Sequence, residues 1–123
     1  YSGYTAGAKK QAAKSNQAAV AKYIAAELQK CNLGETNAMD ANLTCSGNDG
    51  AKTIDAAVKA LNDFKNPYST SNAAVTDGGN ATADTDVGYT RLTNSGNDIT
   101  ITTCFTTACN TASNRSSNLV KVE

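Results

Sequence analysis

The 123-residue chain predicts an α+β fold in a single domain, 1–123. Three observations carry that expectation. An Ala- and Lys-rich stretch of helical composition comes first, a polar region with one amphipathic segment follows, and the final third alternates as antiparallel strands do. Helices and strands segregated along a chain place the long N-terminal helix across one face of a small antiparallel sheet.

Residues 1–30 hold no Pro, have Gly only at 3 and 7, and are dense in Ala, Lys and Gln. Helix propensity summed over such a window predicts one helix over about 2–30. Val20, Ile24 and Leu28 fall on one stripe, extended backwards by Gln17 and Ala13, and are expected to pack the helix on the sheet. Lys10, Lys14 and Lys22 lie away from it. The first half carries only a second, small stripe of Tyr1, Tyr4, Ala8 and Ala12. This half is therefore expected to project from the domain or to pack on another chain.

Residues 31–87 read as loop with one short helix. Gly34, Asn37, Asp40, Asn42, Gly47, Asn48 and Gly50 break regular structure over 32–52. Ile54, Ala57, Val58, Leu61 and Phe64 then recur at helical spacing and predict a helix over 53–65, with Thr53 as N-cap and Asn66-Pro67 as its stop. Residues 66–87 are small and polar and read as a long surface loop. Residues 88–123 read as the sheet and a C-terminal disulfide loop. Segments 88–93 and 98–103 alternate around a turn at 94–97, with Ile99 and Ile101 on one face. A polar loop over 106–117 surrounds Cys109, and 118–123 is the last strand.

Composition excludes several functions. The chain has no histidine, hence no Ser-His-Asp or Cys-His catalysis and no imidazole ligand. Eleven basic and eleven acidic side chains cancel, which argues against a dedicated nucleic-acid binder. That neutrality conceals a split. Residues 1–30 carry five Lys and one Glu (+4), whereas 31–123 carry six basic and ten acidic groups (−4). Such a division fits either a solvated helix face or attraction between the helix of one subunit and the body of another. Asp77, Asp84 and Asp86 sit in an oxygen-rich loop without the closing Glu of a calcium hand, and read as solvated carboxylates. No catalytic constellation, metal or cofactor is expected.

Four cysteines in a small polar chain favour disulfides and an oxidising compartment. Neither spacing is the C-x-x-C of a metal or redox site. Three pairings are open. The two local ones, Cys31 with Cys45 and Cys104 with Cys109, are favoured, because each closes a segment of small polar residues able to bend to disulfide geometry.

Tyr1-Ser2-Gly3-Tyr4-Thr5-Ala6-Gly7-Ala8-Lys9-Lys10 resembles the globular-domain half of the long helix in bacterial type IV pilins. In that family an apolar, membrane-spanning segment runs into a Tyr-x-x-Tyr-Thr-like stretch. The later order also fits: an antiparallel sheet, a disulfide-bounded loop near the end at Cys104 and Cys109, then a last strand. The resemblance implies a pilin-like fold and a structural role without enzymatic activity. The chain would be a major subunit of a type IV pilus, on the cell surface, anchored in the inner membrane before assembly only through a segment ahead of Tyr1. Tyr1, Tyr4, Lys9 and Lys10 would then contact neighbouring subunits. Implied partners are further copies in a helical filament, the pilus assembly machinery and a host or surface receptor, in adhesion, motility or DNA uptake. The Cys31–Cys45 pair departs from the single C-terminal bridge of many pilins. Alternatives are a pseudopilin of a type II secretion system, which often has Ca²⁺ where this chain has a C-terminal cysteine pair, and a DNA-binding minor pilin, which the acidic body disfavours. An unrelated secreted enzyme would need a catalytic site.

Overall fold

The computed structural model describes residues 5–123. Tyr1 and Tyr4, expected at subunit contacts, lie outside the described residues. Thr5 is extended and its hydroxyl accepts the Ala8 amide at 3.2 Å, which caps helix α1 (Ala6–Asn32). At about 1.5 Å per residue this helix is a rod about 40 Å long. Ala13, Gln17, Val20, Ile24, Glu27 and Leu28 recur at three- and four-residue spacing and are buried along one face.

A minimal antiparallel hairpin follows, β1 (Asn37–Ala38) with β2 (Leu43–Thr44), and then helix α2 (Gly50–Ala60). A second small hairpin joins β3 (Lys65–Asn66) to β4 (Ser69–Ala73). The main sheet contains β5 (Val75–Asp77), β6 (Thr90–Ser95), β7 (Asp98–Cys104) and β8 (Arg115–Lys121), in that spatial order. Strand β7 pairs antiparallel with both β6 and β8, whereas β5 runs parallel to β6.

The strand period of two sorts the side chains of the sheet. Thr90, Leu92, Ile99, Ile101 and Thr103 are buried on one face, while Thr93, Thr100 and Thr102 lie on the wetter one. Gly96 supplies the left-handed φ of 59° that the two-residue turn between β6 and β7 requires. Both helices cover the buried face, α1 over β7 and β8, α2 over β5 and β6. Val20, Ile24 and Leu28 meet Ile54, Ala57, Leu61, Leu92, Ile99, Ile101 and Val122 in one core.

The second helix spans 50–60 rather than 53–65. Its N-cap is Asp49, whose carboxylate accepts the Lys52 amide at 2.8 Å. Thr53 is instead buried, its hydroxyl 2.8 Å from both the Asn48 side-chain oxygen and the Asp49 carbonyl. Contact with the sheet sets this start. The Gly50 amide donates to Asn97 Oδ1 at 3.3 Å, and any side chain at 50 would run into the Gly96 carbonyl. The helix ends at the Leu61 cap, because the backbone of 65–66 is committed to pairing with β4. Asn66-Pro67 therefore stops nothing. The stretch 31–87 is also not plain loop, since β1 to β5 lie within it, together with a 3₁₀ turn at Asp84–Asp86. Backbone ladders, which polar side chains do not advertise, order it. Likewise β8 begins at Arg115, inside the segment read as loop.

Candidate functional site

Two carboxylates of the 77–86 loop, Asp84 and Asp86, hold the backbone around them. Asp86 is buried. It accepts Arg91 Nη2 at 2.8 Å and the Ala83 amide at 2.9 Å. Arg91 also donates to the Asn80 carbonyl at 3.0 Å and Thr76 Oγ1 at 3.1 Å, and its guanidinium lies 4.4 Å from the Tyr89 ring centroid. Asp84 accepts the Cys109 amide at 3.0 Å. Asp77 and Asp84 remain exposed loop carboxylates, so the reading of all three as solvated is corrected at Asp86 alone. Among the described residues no group of His, Cys, Asp or Glu is arranged to hold a metal ion. No helix there is long and apolar enough to cross a membrane.

The C-terminal loop is closed by Cys104–Cys109, with Cα atoms 5.5 Å apart and both residues fully buried. Side chains from elsewhere hold its backbone. Arg115 Nη1 donates to the Cys109 carbonyl at 2.7 Å, Asn114 to the Ala108 carbonyl at 3.0 Å, and the Tyr68 hydroxyl to the Phe105 carbonyl at 2.6 Å. Burial raises the pKa of that tyrosine.

The other disulfide, Cys31–Cys45, ties the last turn of α1 to the end of β2, with Cα atoms 5.2 Å apart. Inside it Met39, Asp40 and Ala41 are successive left-handed residues, with φ of 53°, 55° and 66°. Such a conformation costs roughly 1–2 kcal/mol per L-residue. Two features offset it. Met39 is fully buried, and its amide donates to Glu27 Oε1 at 2.6 Å. Glu27 also pairs with Lys30 at 2.7 Å. Burial pushes the Glu27 carboxyl up, but the Lys30 ammonium and the Met39 amide together outweigh it and hold the carboxyl below its ordinary value. Beside it the Tyr23 phenol is raised, by burial first and then by Asp40 and Glu27.

Val20, Ile24 and Leu28 face the sheet core. Gln17, on the same stripe, is buried and joins two strands, β7 and β8, to the helix. Its amide nitrogen donates to the Ile101 carbonyl at 2.7 Å and Asn118 Oδ1 at 3.0 Å, and its oxygen accepts the Thr103 hydroxyl at 2.8 Å. Thr103 and Thr90 hydroxyls lie 3.2 Å apart. A polar residue on an apolar stripe was the sequence signal for this role.

Lys9 and Lys10 are half-buried against their own domain. The Lys9 ammonium lies 5.7 Å from the Tyr68 ring centroid, and those of Lys10 and Lys14 lie 5.8 and 4.6 Å from the Phe105 centroid. These are cation–π distances. None of the three lysines forms an ion pair among the described residues. On the outer sheet face, a cleft of about 220 Å³ lies between Asn80, Arg91, Thr93, Thr102 and Arg115. Its arginines are already engaged as described. Among the described residues the large apolar side chains left exposed are Leu119 on that face and Leu33 at the end of α1. No protein-family model, curated protein or solved structure matches the chain.

Proposed function

We propose that this chain is the head domain of a structural filament subunit, a major pilin of a type IV pilus, and not an enzyme. The observation that carries the reading is the placement of α1. The helix enters the domain's core only from Ala13 onward, while Ala6, Gly7 and Ala8 in its first turns are exposed. Most helical stability in proteins comes from tertiary packing of one face. Only the capped first turn, Ala6–Ala8, runs past the domain before Lys9 and Lys10 pack on Tyr68 and Phe105, and that turn suits packing among further copies. Two disulfides suit a protein exported to an oxidising compartment. The Thr-rich outer face of the sheet suits a filament surface. In the 77–86 loop, Asp86 is spent on Arg91 and the Ala83 amide and one oxygen of Asp84 accepts the Cys109 amide, which favours a pilus subunit over a calcium-holding pseudopilin.

Immunogold electron microscopy with antibody against this domain, on the cells that make it, tests the proposal. Label along the full length of thin filaments is the expected result. Label only at filament tips would turn the reading to a minor pilin. Label confined to the envelope, with no filament marked, would overturn it.

A further inference from the structure

We infer that successive copies dock head to tail, the lysine cluster Lys9, Lys10 and Lys14 of one copy seating against Glu35 and Asp40 at the far end of α1 in the next. The inference rests on the filament reading above and names the contact that reading needs.

The basic end is built from one stretch of helix. Lys9, Lys10 and Lys14 precede the first carboxylate of α1, Glu27. Their ammonium groups are held over Tyr68 and Phe105, so part of the entropy of ordering them is already spent. A ring satisfies an ammonium only in part, since its three N–H donors also seek oxygen acceptors. No carboxylate of the same domain supplies one among the described residues.

The opposite end has the opposite sign. Glu35 and Asp40 are exposed in the stapled loop after α1, and neither forms an ion pair among the described residues. Lys30, the basic residue of the last turn, is taken by Glu27 at 2.7 Å. The carbonyl end of a helix adds partial negative charge at the same place. From Lys14 to Asn32 the helix axis runs about 27 Å. A copy's own lysines therefore do not reach its own Glu35 and Asp40, and the match is made between copies. Two different patches at opposite ends of one rod make a heterologous contact, the type that produces open filaments.

Zero-length carbodiimide cross-linking of intact filaments, read by peptide mass spectrometry, tests the contact. Bonds from Lys9, Lys10 or Lys14 to Glu35 or Asp40 are expected in filaments and absent from the isolated domain. Filaments shown by immunogold to contain the chain, yet yielding cross-links only elsewhere, would overturn the contact and leave the filament reading standing. Filaments without the chain would remove both. Charge reversal gives a second readout. Lys10→Glu with Lys14→Glu is expected to abolish filaments while the exported subunit keeps its far-ultraviolet circular dichroism, and adding Glu35→Lys with Asp40→Lys is expected to restore them. Filaments unaffected by the lysine reversal, or not restored by the compensating pair from a folded subunit, would count against the contact.

Discussion

The loop after α1 and the loop before β8 are each closed by a disulfide, yet the rest of the molecule holds them differently. The first is long, its cysteines are only half-buried, and its turn is left-handed at three consecutive residues. One buried carboxylate, Glu27, links that turn to the helix. The second is short, its cysteines are fully buried, and Asp84, Asn114, Arg115 and Tyr68 all bond its backbone. In the first loop, covalent closure adds to a short β1–β2 ladder and to the core burial of Ala38, Met39 and Leu43. In the second, closure adds to a geometry that hydrogen bonds already specify.

The largest expected effect comes from attacking the second loop through its support. Gly88 has φ of +84°, its amide donates to the Cys104 carbonyl, and a side chain there would collide with Asn66. Gly88→Ala is expected to cost about 3–4 kcal/mol in denaturant unfolding, from left-handed strain plus overpacking. A cost of only about 1–2 kcal/mol, the left-handed strain alone, would show that Asn66 moves aside without loss.

Next is Cys31→Ala with Cys45→Ala, expected to cost about 3 kcal/mol from loop closure. Amides of 33–45 should lose hydrogen-exchange protection with it. Cys104→Ala with Cys109→Ala should cost less, about 2 kcal/mol, because the closed loop is shorter. The Cys109 amide should stay protected through Asp84. Equal loss of protection in both loops would break the contrast.

Glu27→Gln sharpens the contrast through pH. The folded Glu27 carboxyl lies below its ordinary value, so its stabilisation is present above about pH 4.3, the unfolded value, and is lost as pH falls through the folded one. The variant should be about 1.5 kcal/mol less stable at pH 7, and the gap should close at pH values below the folded pKa. Chemical denaturation at both ends of that range measures it. The smallest effect is Asp84→Asn, which keeps an acceptor for the Cys109 amide and should cost under about 1 kcal/mol. Exchange at Cys109 reads it directly.

Much of the architecture was legible because local chemistry and tertiary need coincide. The buried stripe of α1 is visible at helical spacing, and β6 and β7 alternate at a period of two. The beginning of α2 was missed because Asp49 and Thr53 are both good caps, and contact of Gly50 with the sheet turn chooses between them. Strands β4 and β5 were missed because STSNA and VTD show almost no burial alternation. In the proposed docking surface, the lysines were visible but their seats were not. Phe105 and Tyr68 lie far along the chain from α1, and nothing local links them.

The sequence by itself determined the α+β order, the long polar helix with one core stripe, the central hairpin and the local proximity of each cysteine pair. Each of these depends on residues a few positions apart. The tertiary structure alone decided the parallel pairing of β5 with β6, the burial of Gln17 against β7 and β8, and the bonding of Asp84 and Asp86 to Cys109 and Arg91. Those contacts bring together polar groups distant in the chain. A polar side chain has no periodic signature, and only the assembled neighbourhood determines whether water or a protein partner satisfies it.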